Sequence, residues 1–185
     1  MKVTETAAAA SLELSKTLAG IDEKQVAALL EAICGAKKVY VAGAGRSLLM
    51  LRCLAMRLMH LGFESYVAGD TTTPAFEKED LLIAGSGSGE TGSLLHLAGK
   101  AGKIGGKVAV LTTRPQSSLA KLGDLVVEIP AYTDKAETGR SRPLLPGGSM
   151  FEQGMLLLGD AMVLPLAKKA GIPTDRAFAR HANLE

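Results

Sequence analysis

The 185-residue chain is 47% apolar and 22% charged, a balance that fits a globular protein with its own core and excludes a disordered one. Its net charge of +2, its 4% aromatic content and the lack of any Lys- or Arg-rich run exclude an electrostatic or base-stacking nucleic-acid binder. The first twenty residues contain acids and no continuous apolar segment, and no uncharged apolar run approaches roughly 18 residues. Neither a signal peptide nor a membrane span is therefore predicted, and the cytoplasm is the expected location. Cys34 and Cys53 have no CxxC partner and read as reduced core residues.

In chain order, the alanine run Ala7 to Ala10 lies in a helix that ends at Gly20, a good C-cap residue. Asp22 opens a second helix with Val26, Leu29, Leu30 and Ile33 at helical spacing. Short apolar runs then alternate with amphipathic stretches. KKVYVAG, GFESYVAG, DLLIAGS, KVAVLTT and DLVVEIP read as strands, separated by helices over Ser47 to Leu61, Glu90 to Ile104 and, briefly, Ser117 to Leu122. This alternation predicts an α/β fold: about five parallel strands in the flavodoxin-like order, helices on both faces, and a ligand at the carboxyl ends of the strands.

A polar loop covers 131–148. After it comes a helix from Met150 to about Ala170 that is apolar nearly all round, with Pro165 expected to kink or shorten it. Such a helix needs cover on both sides, by the sheet and by a second subunit. The chain thus reads as one domain over 1–185: N-terminal helices at 4–34, sheet core at 37–130, loop at 131–148, and a final helix and tail at 149–185.

Two glycine-rich loops follow predicted strands. Gly43-Ala44-Gly45-Arg46-Ser47 begins like a dinucleotide fingerprint, but Leu48 stands where the last glycine belongs. Gly85-Ser86-Gly87-Ser88-Gly89-Glu90-Thr91 opens a helix without the GK[ST] of a nucleotide P-loop. Its glycines let amides turn inward at a helix N-terminus, and Ser86, Ser88 and Thr91 add hydroxyl donors. This chemistry suits a monoester phosphate held without magnesium. The plainer reading is a serine-rich turn with Ser88 or Glu90 capping the helix. Arg46 either supports the phosphate or pairs with an acid such as Asp70. Ser149 and Glu152 form S-x-x-E, a capping box. His96 reads as a surface residue, and His60 as a structural residue at a helix end before Gly62. His181 lies in a polar tail that no core explains.

The loop SGSGET resembles the phosphate motif of SIS (sugar isomerase) domains. Together with GAGRS, AMRLMHLGF, the TTTP segment, FEQ at the head of the last helix and the terminal RHANLE, it is similar to the 6-phospho-3-hexuloisomerase family, in order from about Val39 to Glu185. Leu48 departs from that family's pattern, which has glycine there. The resemblance implies isomerisation of D-arabino-3-hexulose 6-phosphate to D-fructose 6-phosphate through a 2,3-enediol, the second step of formaldehyde fixation by the ribulose monophosphate route. It implies no metal or redox cofactor, a homotetramer, and a functional link to 3-hexulose-6-phosphate synthase. Glu152 matches the family's catalytic glutamate, and His181 is expected at a neighbour's active site. Gly45, Arg46, Ser47 and Ser86 to Thr91 (with Gly87, Ser88, Gly89 and Glu90) are expected around the substrate. A pentose or heptose phosphate isomerase and a non-catalytic sugar-phosphate sensor are the alternatives.

Overall fold

A computed structural model describes residues 2–135, 139–173, 180, 181 and 183. Helices α1 (Val3–Ala19) and α2 (Glu23–Gly35) precede the sheet. The chain then runs through β1 (Val39–Gly43), α3 (Arg46–Leu61), β2 (Ser65–Val67), β3 (Leu81–Gly85), α4 (Gly92–Ile104) and β4 (Lys107–Thr112). A single 3₁₀ turn (Ala120–Leu122) leads to β5 (Leu125–Glu128), and α5 (Ser149–Ala161) and α6 (Val163–Lys169) follow. The five strands are parallel in the order β2-β1-β3-β4-β5, the flavodoxin-like order that the sequence predicts.

Strand periodicity divides the core. Val39, Val41, Leu81, Ile83, Ala109 and Leu111 face α1, α2, α3, α5 and α6, while Tyr40, Ala42, Leu82, Ala84, Val108 and Val110 face α4 and the 3₁₀ turn. Burial on both faces explains why the strands read as continuous apolar runs rather than as alternating ones. Among the described residues the cover is unequal, with five α-helices on one face and one on the other. Helix α3 crosses from β1 to β2 on the thick side, and α4 crosses from β3 to β4 on the thin side, so the chain switches direction between β1 and β3.

The final apolar stretch is two helices rather than one. It breaks at Met162, three residues before Pro165, whose missing amide hydrogen cannot reach back to the preceding turn. By length and composition alone residues 149–169 could span a membrane, at 21 residues and mean hydropathy 1.2. In the fold they form a core layer, with Met150, Phe151, Met155, Leu158, Met162 and Leu166 buried. Leu157 and Leu164 remain exposed, as do Leu49 and Met56 on α3.

Charge closes the amino edge of the sheet. The buried Asp80 carboxylate accepts from the amides of Lys38 (3.1 Å) and Glu77 (2.7 Å) and lies 3.4 Å from Lys38 Nζ. That ammonium also donates to Ala75 O at 2.9 Å and Glu77 Oε2 at 3.1 Å. Burial works against the Lys38 charge, but the bonds to Glu77 and Asp80 outweigh it and push the ammonium above its ordinary range. Asp80→Ala would leave two amides and a cation without this acceptor, for an expected loss of about 3 kcal/mol. Urea unfolding followed by far-UV circular dichroism measures it as a lowered midpoint at constant slope; an unmoved midpoint would show that Glu77 suffices.

Candidate functional site

Strands β1 and β3 pair in register from Val39↔Leu81 to Gly43↔Gly85, so the two glycine-rich loops leave the sheet side by side at its carboxyl edge. Glycine at position 43 is required because a Cβ there would lie 2.8 Å from Leu48 N and 2.9 Å from its Cα. That close approach lets α3 start directly above β1. Gly89 adopts φ 67°, and a Cβ on it would lie 2.0 Å from Ser117 Oγ. This left-handed residue keeps the chain out of helix until Gly92, two residues beyond the expected start at Glu90.

Between these loops and the head of α5 lies a cleft lined by Ala44, Ser47, Gly85, Ser86, Gly87, Ser88, Thr91, Thr133, Lys135, Gly148, Phe151 and Glu152. Three helices begin at its rim, and none has a side-chain cap: Gly45 precedes α3, Thr91 precedes α4 and Gly148 precedes α5. By contrast α2 is capped by Asp22, which accepts from Lys24 N at 2.8 Å. Uncapped helix starts present unpaired amides and partial positive charge, so this edge of the sheet favours an anion.

The SGSGET loop is built around Ser86, a buried residue whose hydroxyl meets Thr91 Oγ1 at 3.0 Å and accepts from Gly89 N at 3.1 Å. Gly87 O accepts from Thr113 Oγ1 at 2.8 Å and from Thr112 Oγ1 at 3.3 Å, which anchors the loop to the end of β4. Among the described residues the amides of Gly87, Ser88 and Thr91 meet no protein acceptor. Neither Ser88 nor Glu90 caps α4. Ser88 Oγ accepts from Glu90 N at 3.3 Å, and the exposed Glu90 carboxylate turns away to accept from Ser118 N at 3.0 Å. The bonds from Ser118, with Arg114 and Lys121 nearby, hold Glu90 below the usual carboxylate range. Glu90 and Gly89 thus brace the loop from behind and do not line the cleft.

The capping box at α5 does not form. Helix α5 starts at Ser149, so Ser149 is the first helical residue and Gly148 occupies the cap position. The Ser149 hydroxyl donates to Pro146 O at 2.8 Å. The Glu152 carboxylate, 16% exposed, instead accepts from Arg46 Nη1 at 2.9 Å on Oε2, and Arg46 Nη1 also lies 3.1 Å from Ser149 Oγ. Arg46 and Gly45 do not line the cleft, whereas Ser47 does. Asp70, the acid weighed as a partner for Arg46, pairs with Arg52. Leu48 lies off the cleft wall.

The histidines separate from this site. His96 is exposed, as expected. His60 and His181 stack, with ring centroids 5.1 Å apart and planes at 24°, at the carboxyl end of α3. That end lies roughly 20 Å along the helix from Arg46, at about 1.5 Å per residue. Burial, and then the neighbouring His181 and Arg57, lower the His60 pKa, so its imidazole is neutral at pH 7 and no cation meets the helix dipole. Within one chain His181 therefore does not approach the cleft.

Sequence reasoning missed Thr133 and Lys135, which form the wall beyond β5. The only signal for them is position, since the loop after a parallel strand opens at the ligand-binding edge. Phe151 was also missed; its ring lies under Gly87, where a Cβ would stand 3.3 Å from Cδ1. Among the described residues no group of three His, Cys, Asp or Glu side chains could hold a metal ion.

Comparison with known proteins bears on what the cleft does. Residues 32–140 match the family model of the SIS domain. The 3-hexulose-6-phosphate isomerase of Bacillus subtilis is 43% identical over 185 residues, all of both chains. The Mycobacterium gastri protein of the same name is 44% identical over 173 residues, covering 94% of this chain and 86% of that one. A protein of Methanococcus jannaschii, whose crystal structure was taken to infer a molecular function of 3-hexulose-6-phosphate isomerase, superposes with a TM-score of 0.83 at 34% identity, over 98% of this chain and 99% of that one. The chain belongs to the SIS domain family, in the group whose curated members are named 3-hexulose-6-phosphate isomerase.

Proposed function

We propose that the protein isomerises D-arabino-3-hexulose 6-phosphate to D-fructose 6-phosphate, with Glu152 as the base. The observation that carries this reading is that Glu152 lines the same cleft as the SGSGET loop while its carboxylate is free of its own helix's amides. The phosphate sits on the amides of Gly87, Ser88 and Thr91, with Ser47, Ser86 and the Lys135 ammonium around it. Glu152 removes the C2 proton as the C2=C3 bond forms and the C3 oxygen takes up negative charge and a proton. The C2 hydroxyl then loses its proton as the new carbonyl forms, and Glu152 returns the carbon-bound proton at C3. The step places the protein second in formaldehyde fixation by the ribulose monophosphate route, in the cytoplasm, downstream of 3-hexulose-6-phosphate synthase.

A homotetramer completes the proposal. Leu49 and Met56 on α3, with Leu157 and Leu164 on α5 and α6, expose apolar surface that a second copy would bury. Because His181 lies at the far end of α3 in its own chain, its assistance reaches the cleft of a neighbour. There an imidazole, with one nitrogen to donate and one to accept, can carry the proton between the two oxygens.

Three outcomes test this. A coupled assay for fructose 6-phosphate should show kcat for Glu152→Gln reduced by about 10²- to 10⁴-fold with KM little changed. Near-normal turnover would remove Glu152 as the base. The unphosphorylated hexulose should hardly react, because the remote phosphate holds the reacting carbons in place. Equal rates on the two sugars would overturn the phosphate cradle. This substrate comparison is cleaner than Ser86→Ala, which would also unlatch Thr91 and Gly89. Finally, mixing Glu152→Gln chains with His181→Ala chains should restore activity in the fraction expected from random assembly. No recovery, despite demonstrated exchange of subunits, would take His181 out of the neighbour's site.

A further inference from the structure

We propose that Arg46 is a positioning residue for Glu152, setting which carboxylate oxygen faces the reacting carbons; this rests on Glu152 being the base. Arg46 Nη1 donates to Glu152 Oε2 at 2.9 Å and lies 3.1 Å from Ser149 Oγ, which in turn donates to Pro146 O at 2.8 Å. The chain of contacts therefore runs from the first residue of α3 to the turn that opens α5. It ties one oxygen of the carboxylate. Oε1 has no protein partner among the described residues and stands 3.7 Å from where a Cβ of Gly148, a cleft-lining residue, would be. That oxygen is left to take a proton from carbon.

Stability does not explain the pair. Arg46 begins α3, where its charge opposes the positive end of the helix dipole, and the first turn of α3 has no acid to offset it. The guanidinium is 49% exposed, and an ion pair with so solvated a partner contributes little to folding. A cation held at a helix start against both local rules, with its hydrogen bond directed at a mostly buried carboxylate beside a cleft, fits a functional constraint. The arrangement also accounts for the failed capping box: with Ser149 drawn to Pro146, and Glu152 to Arg46, neither side chain turns back to its own helix. A flexible carboxylate at the head of α5 would sample several rotamers. Proton return from C2 to C3 requires one oxygen held within reach of both carbons.

The test is a double-mutant cycle on the full chain: Arg46→Ala, Glu152→Gln and the two together, assayed with 3-hexulose 6-phosphate. Arg46→Ala should lower kcat by about 10- to 100-fold, with KM changed less than about threefold. Because Arg46 acts through Glu152, the double variant should be no slower than Glu152→Gln alone. Guanidinium ion at non-denaturing millimolar concentration should restore part of the Arg46→Ala turnover and none of the Glu152→Gln turnover. A raised KM with kcat retained would make Arg46 a substrate ligand, and additive losses in the double variant would give it a role independent of Glu152; either result overturns the proposal. Full activity of Arg46→Ala, with Glu152→Gln inactive, would reject the positioning role and keep the base. An active Glu152→Gln chain would instead reject the base. If Arg46→Ala does not fold, Arg46→Gln, which keeps a donor at this exposed site, carries the same comparison.

Discussion

Everything at the carboxyl edge follows from the level pairing of Gly43 with Gly85. The register of β1 and β3 brings two loops to one height, and the bare Cα of Gly43 lets the backbone of Leu48 sit directly on the strand end. Helix α3 thereby starts close enough for its first residue to reach α5. A side chain at position 43 would lift α3, and with it the Arg46 guanidinium and Ser47. The ion pair, the cleft wall and the buried face of α3 all depend on that one contact distance.

Around this edge the fold concentrates positive potential chiefly in its backbone amides, with Lys135 in the cleft wall. Three helix starts lack side-chain caps, and the loop amides of Gly87, Ser88 and Thr91 have no protein acceptor among the described residues. Leaving them unpaired costs stability, and a phosphate dianion would satisfy several at once. The hydroxyls in the loop do different work: Ser86 is buried and occupied with Gly89 and Thr91, so it shapes the cradle, while Ser47 lines the cleft from the opposite loop. The amino edge behaves in the opposite way. There Asp80 takes up the amides of Lys38 and Glu77, so those polar groups are already satisfied.

The sheet was legible because each strand is a short apolar run ended by a residue that stops it, and the central strands β1, β3 and β4 are buried on both faces. The flavodoxin-like order followed from the alternation of strands with helices, although no helix separates β2 from β3 and only a 3₁₀ turn separates β4 from β5. What escaped were properties that depend on distance rather than spacing. S-x-x-E at Ser149 is a sound capping signal, yet the helix begins one residue too early for it, because Gly148 takes the cap position. Arg46 was weighed in sequence as a partner for Asp70; α3 places Arg52 beside that acid and turns Arg46 toward α5. Glu90 was expected at the substrate, but the left-handed turn at Gly89 swings it to Ser118. Thr133 and Lys135 belong to no motif, and only the parallel-sheet rule could have pointed to their loop.

Two of the helices that meet at the cleft, α3 and α5, also carry uncovered apolar surface. Arg46 and Glu152 stand at the heads of α3 and α5, while Leu49 and Met56, and Leu157 and Leu164, lie exposed further along the α3, α5 and α6 segments. In the proposed assembly a neighbour packed on these residues presses on the same pair of helices whose relative height sets the Arg46–Glu152 distance. The His60–His181 stack adds a second link, since it holds the tail residue at the far end of α3, where burial keeps His60 uncharged. An uncharged His60 ring packs on His181 without repulsion, whereas two imidazolium rings 5.1 Å apart would repel each other. On the proposed reading, association of copies and alignment of the base become one structural problem along the length of α3: its head holds Glu152, its flank would meet the neighbour, and its end stacks on His181.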